Sequence, residues 1–226
     1  MFASAVFAGF GAGLIAALLH ITLMAPIILE AEKYESGAVV HYGEPIGNAA
    51  DIAEAWAEGD ESTLSRNFQS VLWMLGTYVG FAFVLVAGFG LAENSGHKIT
   101  AKNGIIWGVA GYAAFSLAPS IGLPPELPGA AAADLNIRQI WQISTMVATL
   151  AGIAAIGFGK NWLVWGAGIV AIALPHIIGA PGFDDYTGVT PPEMAAHFAS
   201  VTLGLGVISW VVMGLIAGYF WEISDT

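Results

Sequence analysis

The chain alternates long apolar runs with short polar breaks. A helix needs about 20 mostly apolar residues to cross a bilayer. Six stretches meet that need, at about 2–29, 67–91, 104–121, 139–158, 162–179 and 197–221. The fourth and fifth are parted only by Gly159-Lys160-Asn161. Joined, they would make one helix of roughly 40 residues, twice what a bilayer needs, so the pattern predicts a tight turn there. The first run lacks a basic leading region and a clear small-residue cleavage site, and reads as a retained helix rather than a removed signal peptide. The pattern therefore predicts an all-α integral membrane protein of six transmembrane helices, forming a single membrane domain over residues 1–226.

Composition agrees with this reading. Hydrophobic residues make up 57% of the chain and charged residues 10%, against about 25% charged in a soluble domain. A soluble fold of this size would have nowhere to put so much apolar surface. The 29 glycines suit helices that approach closely in lipid. With no cysteine, disulfides, thiolate metal sites and cysteine nucleophiles are excluded. A net charge of −11 argues against nucleic acid as a partner.

The acids are unevenly placed. Residues 30–66 form the longest polar segment, an acidic extramembrane loop holding nine of seventeen acids: Glu30, Glu32, Glu35, Glu44, Asp51, Glu54, Glu58, Asp60 and Glu61. Within it, Ile46 to Trp56 is expected to form a short amphipathic helix on the membrane surface. Six crossings would put both termini on one side. The loops after the first, third and fifth runs then share the other side and carry fourteen acids. The short loops after the second and fourth runs carry Lys98, Lys102 and Lys160. Counting Lys and Arg in short loops makes those loops and the termini cytoplasmic and the acidic loops external. Lys33, Arg66 and Arg138 oppose that assignment on the acidic side.

An internal repeat is also legible. Residues 66–126 begin at Arg66 with Gln69 following, reach Gly88-Phe89-Gly90, resume at Trp107-Gly108, break at Pro119, and end in Pro124-Pro125-Glu126. Residues 138–193 begin at Arg138 with Gln142 following, reach Gly157-Phe158-Gly159, resume at Trp165-Gly166, break at Pro175, and end in Pro191-Pro192-Glu193. The order predicts two helical hairpins related by an axis along the membrane normal, an arrangement that often holds a substrate at its interface. Pro119 and Pro175 each free a backbone carbonyl, either by ending a helix or by lining a polar vestibule.

Candidate chemistry centres on ionisable groups within spans. His20 lies one turn before Met24; His176 follows Pro175; His197 opens the sixth run one turn after Glu193. Imidazole suits Co, Ni, Cu and Zn, and thioether suits softer ions. The competing reading makes His20 a hydrogen-bonding core residue and His197 an interfacial one, and no H-E-x-x-H spacing is present. Glu30, Glu32 and Glu35 would attract divalent cations by raising their local concentration, or simply be solvated. Glu126, Asp134 and Glu193 stand beside the mouths of the repeats. Arg66 and Arg138 need carboxylate partners if half-buried, or else bind an anion. No nucleophile elbow, P-loop or dinucleotide fingerprint occurs, and nothing favours an enzyme.

Several segments resemble one family. They are Ala25-Pro26-Ile27-Ile28-Leu29-Glu30-Ala31-Glu32-Lys33-Tyr34-Glu35, then Ala118-Pro119-Ser120-Ile121-Gly122-Leu123-Pro124-Pro125-Glu126-Leu127-Pro128-Gly129-Ala130, Ala133-Asp134-Leu135 and Arg138-Gln139-Ile140-Trp141. Leu174-Pro175-His176-Ile177-Ile178-Gly179-Ala180-Pro181 and Pro192-Glu193-Met194-Ala195 follow. Together they resemble the CbtA family of cobalt transporter subunits. The resemblance implies a multi-pass subunit of a prokaryotic cytoplasmic membrane, with about five spans rather than six. It implies that cobalt, or another divalent transition metal, is the transported ion and not a resident cofactor. It also implies a small one-span CbtB-type partner beside the lipid bilayer, and leaves a homo-oligomer open. The site expected is His20, Met24, Glu30, Glu32, His176 and His197 around the ion, with Arg66, Gln69, Pro119, Glu126, Asp134, Arg138, Gln142, Pro175 and Glu193 as structural or gating residues. The alternative is a non-transporting accessory subunit of a larger membrane complex.

Overall fold

A computed structural model describes residues 2–41, 63–182 and 188–224. The amphipathic segment expected at Ile46 to Trp56 lies outside the described residues. The first apolar run forms α1 (Phe2–Leu19), a π-helical turn (His20–Met24) and α2 (Ala25–Glu35) in one continuous rod. It is followed by α3 (Thr63–Asn94) and α4 (Ala101–Tyr112). A second π-helical turn (Ala113–Leu117) then leads into α5 (Ala118–Gly122). The chain ends with α6 (Leu135–Phe158), α7 (Trp162–Ile178) and α8 (Pro192–Ser224).

Five of the six apolar runs become helices long and apolar enough to cross a membrane: Phe2–Glu35, Leu64–Asn94, Ala101–Gly122, Leu135–Phe158 and Pro192–Ser224. The run at 162–179 yields only the shorter α7, of 17 residues. At 1.5 Å per residue α7 reaches about 25 Å, short of the roughly 30 Å hydrocarbon core. Its end is set by Pro175 and by Gly179, which takes φ 93°, a conformation that favours glycine. The chain is a multi-pass helical membrane protein.

Helix starts follow side-chain caps. Asp134 accepts from the backbone N–H groups of Asn136 and Ile137, Thr100 from Asn103, and Asn161 from Val164. Replacing Asp134 by alanine is expected to cost about 1 kcal/mol, roughly 2–4 °C in melting temperature for a chain of this size. Asp134→Asn should lose much less. Thermal unfolding of the two variants in detergent measures the difference, and equal losses would show that the cap is not what Asp134 contributes.

Packing is inverted relative to a soluble protein. Large apolar side chains point outward, with Leu64, Trp73 and Ile177 each more than 70% exposed, as lipid-facing residues are. Small ones point inward: α1 buries Ser4, Ala5, Ala8, Gly9, Ala12, Gly13, Ala16 and Ala17. This face lies against α3 and α8, and α8 also packs along α4. Trp210, Met213, Phe89 and Trp221 are the large side chains buried between these helices. At one end of the bundle the Trp221 indole donates to Glu93 at 2.6 Å, and Glu222 accepts from the Ala101 N–H at 3.0 Å.

The two hairpins read from the sequence repeat do not pack alike. α6 and α7 lie along each other, whereas the α3 and α4 backbones run apart and meet chiefly through the Trp107 side chain against Gly88 and Phe89. The reason is steric: Gly104, Gly108 and Gly111 let α4 approach α8 closely, so the α4 backbone lies against the last span rather than against its neighbour in sequence.

Candidate functional site: a cavity at the acidic end of the bundle

Both π-helical turns face one cavity of about 250 Å³. In each turn an N–H reaches back five residues, Ala25 to the His20 carbonyl and Ala118 to the Ala113 carbonyl. Each is followed at once by a proline, Pro26 or Pro119. Proline has no N–H, so the next carbonyl in that register, on Ile21 or Ala114, is denied its donor. Single π turns of this kind recur at functional sites. The shared pattern of five residues before Ala-Pro is visible in the sequence, although it does not by itself announce a π turn.

His20 and Met24 reach the cavity from the first turn, and Phe115 and Ser116 from the second. Pro119 and Ser120 continue that wall along α5, Met74 and Tyr78 enter from α3, and Gln142 from α6. From α8 come Thr202, Leu203, Leu205, Gly206 and Ser209. Apart from Ser209, and Ala16 of α1, which lie just past the midpoint, these residues fall in the half of each helix nearer to Glu30, Glu126, Asp134 and Glu193. The cavity therefore runs from the middle of the bundle toward its acidic end.

Its polar groups are specific in what they present. The Nδ1 of His20 is buried and has no hydrogen-bond partner. The hydroxyls of Ser120, Thr202 and Ser209 donate to the carbonyls of Ser116, Phe198 and Leu205 at 2.6, 2.8 and 3.0 Å. No Asp, Glu, Lys or Arg side chain among the described residues lines the cavity.

An aromatic cluster borders the cavity at Phe115. Phe115 stacks on Trp210 with centroids 5.5 Å apart and planes at 16°, and Phe81 packs on both, at 5.3 and 5.0 Å. The outer end is covered by the loop after α5. Its Pro125 lines the cavity, and Leu127 is buried with Ala31 and Phe198 against Met24, Ile27, Ile28 and Met194. Two ion pairs frame this cover. Arg138 on α6 pairs with Glu126 in the loop. Arg66 on α3 makes a two-pronged contact with Glu32 on α2, at 2.7 and 3.2 Å.

The residues singled out from sequence are thus divided. His20, Met24, Pro119 and Gln142 meet at the cavity. Glu32 is engaged by Arg66, and Glu30 by Lys33 at 2.6 Å, both at the rim. His176 lies elsewhere, edge-on to Trp141 at 6.0 Å with its Nε2 buried and unpartnered. The carbonyl of Pro175 beside it accepts from the Trp141 indole at 3.2 Å. His197 and Glu193 are exposed at the start of α8. Gln69 is exposed, 3.4 Å from Ser65, and Asp134 is a helix cap. The six metal candidates do not form one cluster. Among the described residues no group of three or more histidines and carboxylates is placed to hold an ion. Sequence reading missed Met74, Tyr78, Ser116, Ser120, Thr202 and Ser209, which are unremarkable singly and acquire meaning only by facing one another.

No curated protein and no solved structure matches the chain. One family model does, over residues 1–222, and it is described as a probable cobalt transporter subunit, CbtA. A match over nearly the whole length, on a bundle of membrane-crossing helices around a cavity, places the chain in the CbtA family.

Proposed function

We propose that this chain is the membrane subunit through which a divalent transition metal, cobalt, passes, and that the ion occupies the cavity between the two π turns. The observation that carries this reading is the meeting of the His20 imidazole, the Met24 thioether and the Ser120 and Thr202 hydroxyls at one cavity between the two π turns. Glu30, Glu32, Glu35 and the acids of the loop at 30–66 raise the cation concentration at the mouth without ligating it. Inward passage requires the Phe115–Trp210 layer to part, and Phe115 stands on a π turn, where backbone pairing is already irregular.

In this reading α7 is a sixth crossing. Only three residues connect it to α6, which itself crosses, and α7 packs back along α6. Both termini then lie on the side of Lys98, Lys102 and Lys160, the cytoplasmic side by charge, in the inner membrane of a prokaryote. Coupling energy comes from a gradient or from another subunit, a CbtB-type one-span chain being the partner the family implies. His176 and His197 stand outside the path.

Cobalt uptake in cells carrying the gene, lacking it, or carrying His20→Ala tests the proposal. Uptake should fall to background without the gene and by about tenfold in the variant, equivalent to about 1.4 kcal/mol, at equal protein level. Equal uptake with and without the gene would leave an accessory role in a larger complex as the surviving reading.

A further inference from the structure

We infer that the cavity receives its cation as the aqua ion, recognised through the metal-bound waters rather than by direct ligation. The inference rests on the transport reading above and specifies the chemical form of the substrate. Three observations carry it independently of that reading's choice of metal.

The first is the donor set. An octahedral divalent ion stripped of water needs six replacements, and small divalent ions give up water reluctantly. Among the described residues the cavity has one imidazole, no carboxylate, and no group of three histidines or carboxylates placed to hold a metal. Dehydration would go uncompensated. Met24 and Met74 are soft donors, poor replacements for the oxygens of a hydrated divalent ion.

The second is polarity of presentation. A serine or threonine hydroxyl has one hydrogen to donate and two lone pairs to accept. The hydrogens of Ser120 and Thr202, both part-exposed, are already given to backbone carbonyls one turn back. What these groups still present is lone pairs. These acceptors, with the Gln142 amide oxygen, match the hydrogens of water polarised by a metal.

The third is size. Six waters at about 30 Å³ each take up roughly 180 Å³, which fits within about 250 Å³. A bare ion would rattle in that space.

The test uses hexaamminecobalt(III), whose ammine shell does not exchange, so that it can bind only through its outer hydrogens. With the full chain in proteoliposomes, it should compete with cobalt(II) for uptake. Its inhibition constant should rise at least tenfold in Ser120→Ala/Thr202→Val, which separates the cavity from the acidic loop as the place of competition. The wild-type chain provides a readout that needs no variant: X-ray absorption of bound cobalt(II) should show a shell of light oxygen ligands and no sulfur. Uptake indifferent to the ammine complex, an inhibition constant unchanged in a well-folded variant, or a sulfur ligand would each overturn the aqua-ion inference while leaving transport intact. Absence of any cobalt uptake would overturn both.

Discussion

Gly104→Ala and Gly214→Ala should each destabilise the chain by more than about 3 kcal/mol, at or above the upper end of ordinary overpacking costs. A Cβ on Gly104 would lie 2.2 Å from the Gly214 carbonyl oxygen, and a Cβ on Gly214 would lie 2.2 Å from that of Gly104. Gly108 faces the Trp210 carbonyl at 2.3 Å and Gly218 the Thr100 carbonyl at 2.6 Å in the same way. These obstacles are backbone, so no rotamer change relieves them. α4 and α8 would have to separate along the whole contact. In lipid, helix association rests on close van der Waals packing, and separation forfeits it. The damage would reach the cavity, because α4 leads into the turn bearing Ser116 while α8 carries Thr202 and Ser209. Gly76→Ala and Gly80→Ala are the controls. A Cβ at either meets nothing within 4 Å, and alanine is the better helix former by about 1 kcal/mol. Size-exclusion profiles and melting temperatures of the four variants decide the matter. A Gly104→Ala chain as stable as its Gly76→Ala counterpart would mean that α4 and α8 do not approach this closely.

Arg138→Ala is expected to loosen the cover of the cavity. The Arg138 and Glu126 side chains are 22% and 27% exposed, so the pair is largely withdrawn from solvent. Removing the guanidinium leaves a carboxylate beside the apolar cluster around Leu127, at a cost of roughly 1–3 kcal/mol. That is less than for a wholly buried pair, because water still reaches part of it. Amide exchange in residues 123–130 should accelerate by about tenfold or more. Arg138→Lys keeps the charge without the planar fork and should recover only part of the protection. The reciprocal swap, Glu126→Arg with Arg138→Glu, should recover more than either single change. If the swap is no better than the singles, the two groups are not coupled and the loop is held by Leu127 alone.

The polar framework was partly readable along the chain. Arg66 and Arg138 at the starts of apolar runs announce that carboxylates must be near, since a half-buried guanidinium is costly alone. Which carboxylates is another matter. Glu126 lies twelve residues from Arg138, but Glu32 lies 34 residues from Arg66 across the longest loop. The acids nearest in sequence to Arg66 are Asp60 and Glu61, and proximity along the chain would have favoured them. His20 and Met24, one turn apart, were legible as a pair. Their partners across the cavity were not, because a serine or tyrosine in an apolar run carries no sign of what it faces.

The apolar runs determined that the chain is helical and embedded in a membrane, because unpaired backbone cannot be left in hydrocarbon and helix length follows from bilayer thickness. Pro119 and Pro175 marked breaks near the ends of two of those runs. Tertiary structure alone decided that the third apolar run pairs with the last and that two π turns meet across a cavity. The reason is that a membrane helix is apolar on every side. Its inward face is distinguished by small size rather than by hydrophobicity, and small faces fit many partners. Only when the bundle closes do Gly104 and Gly214 select each other, and only then do His20, Ser120 and Thr202 become one site.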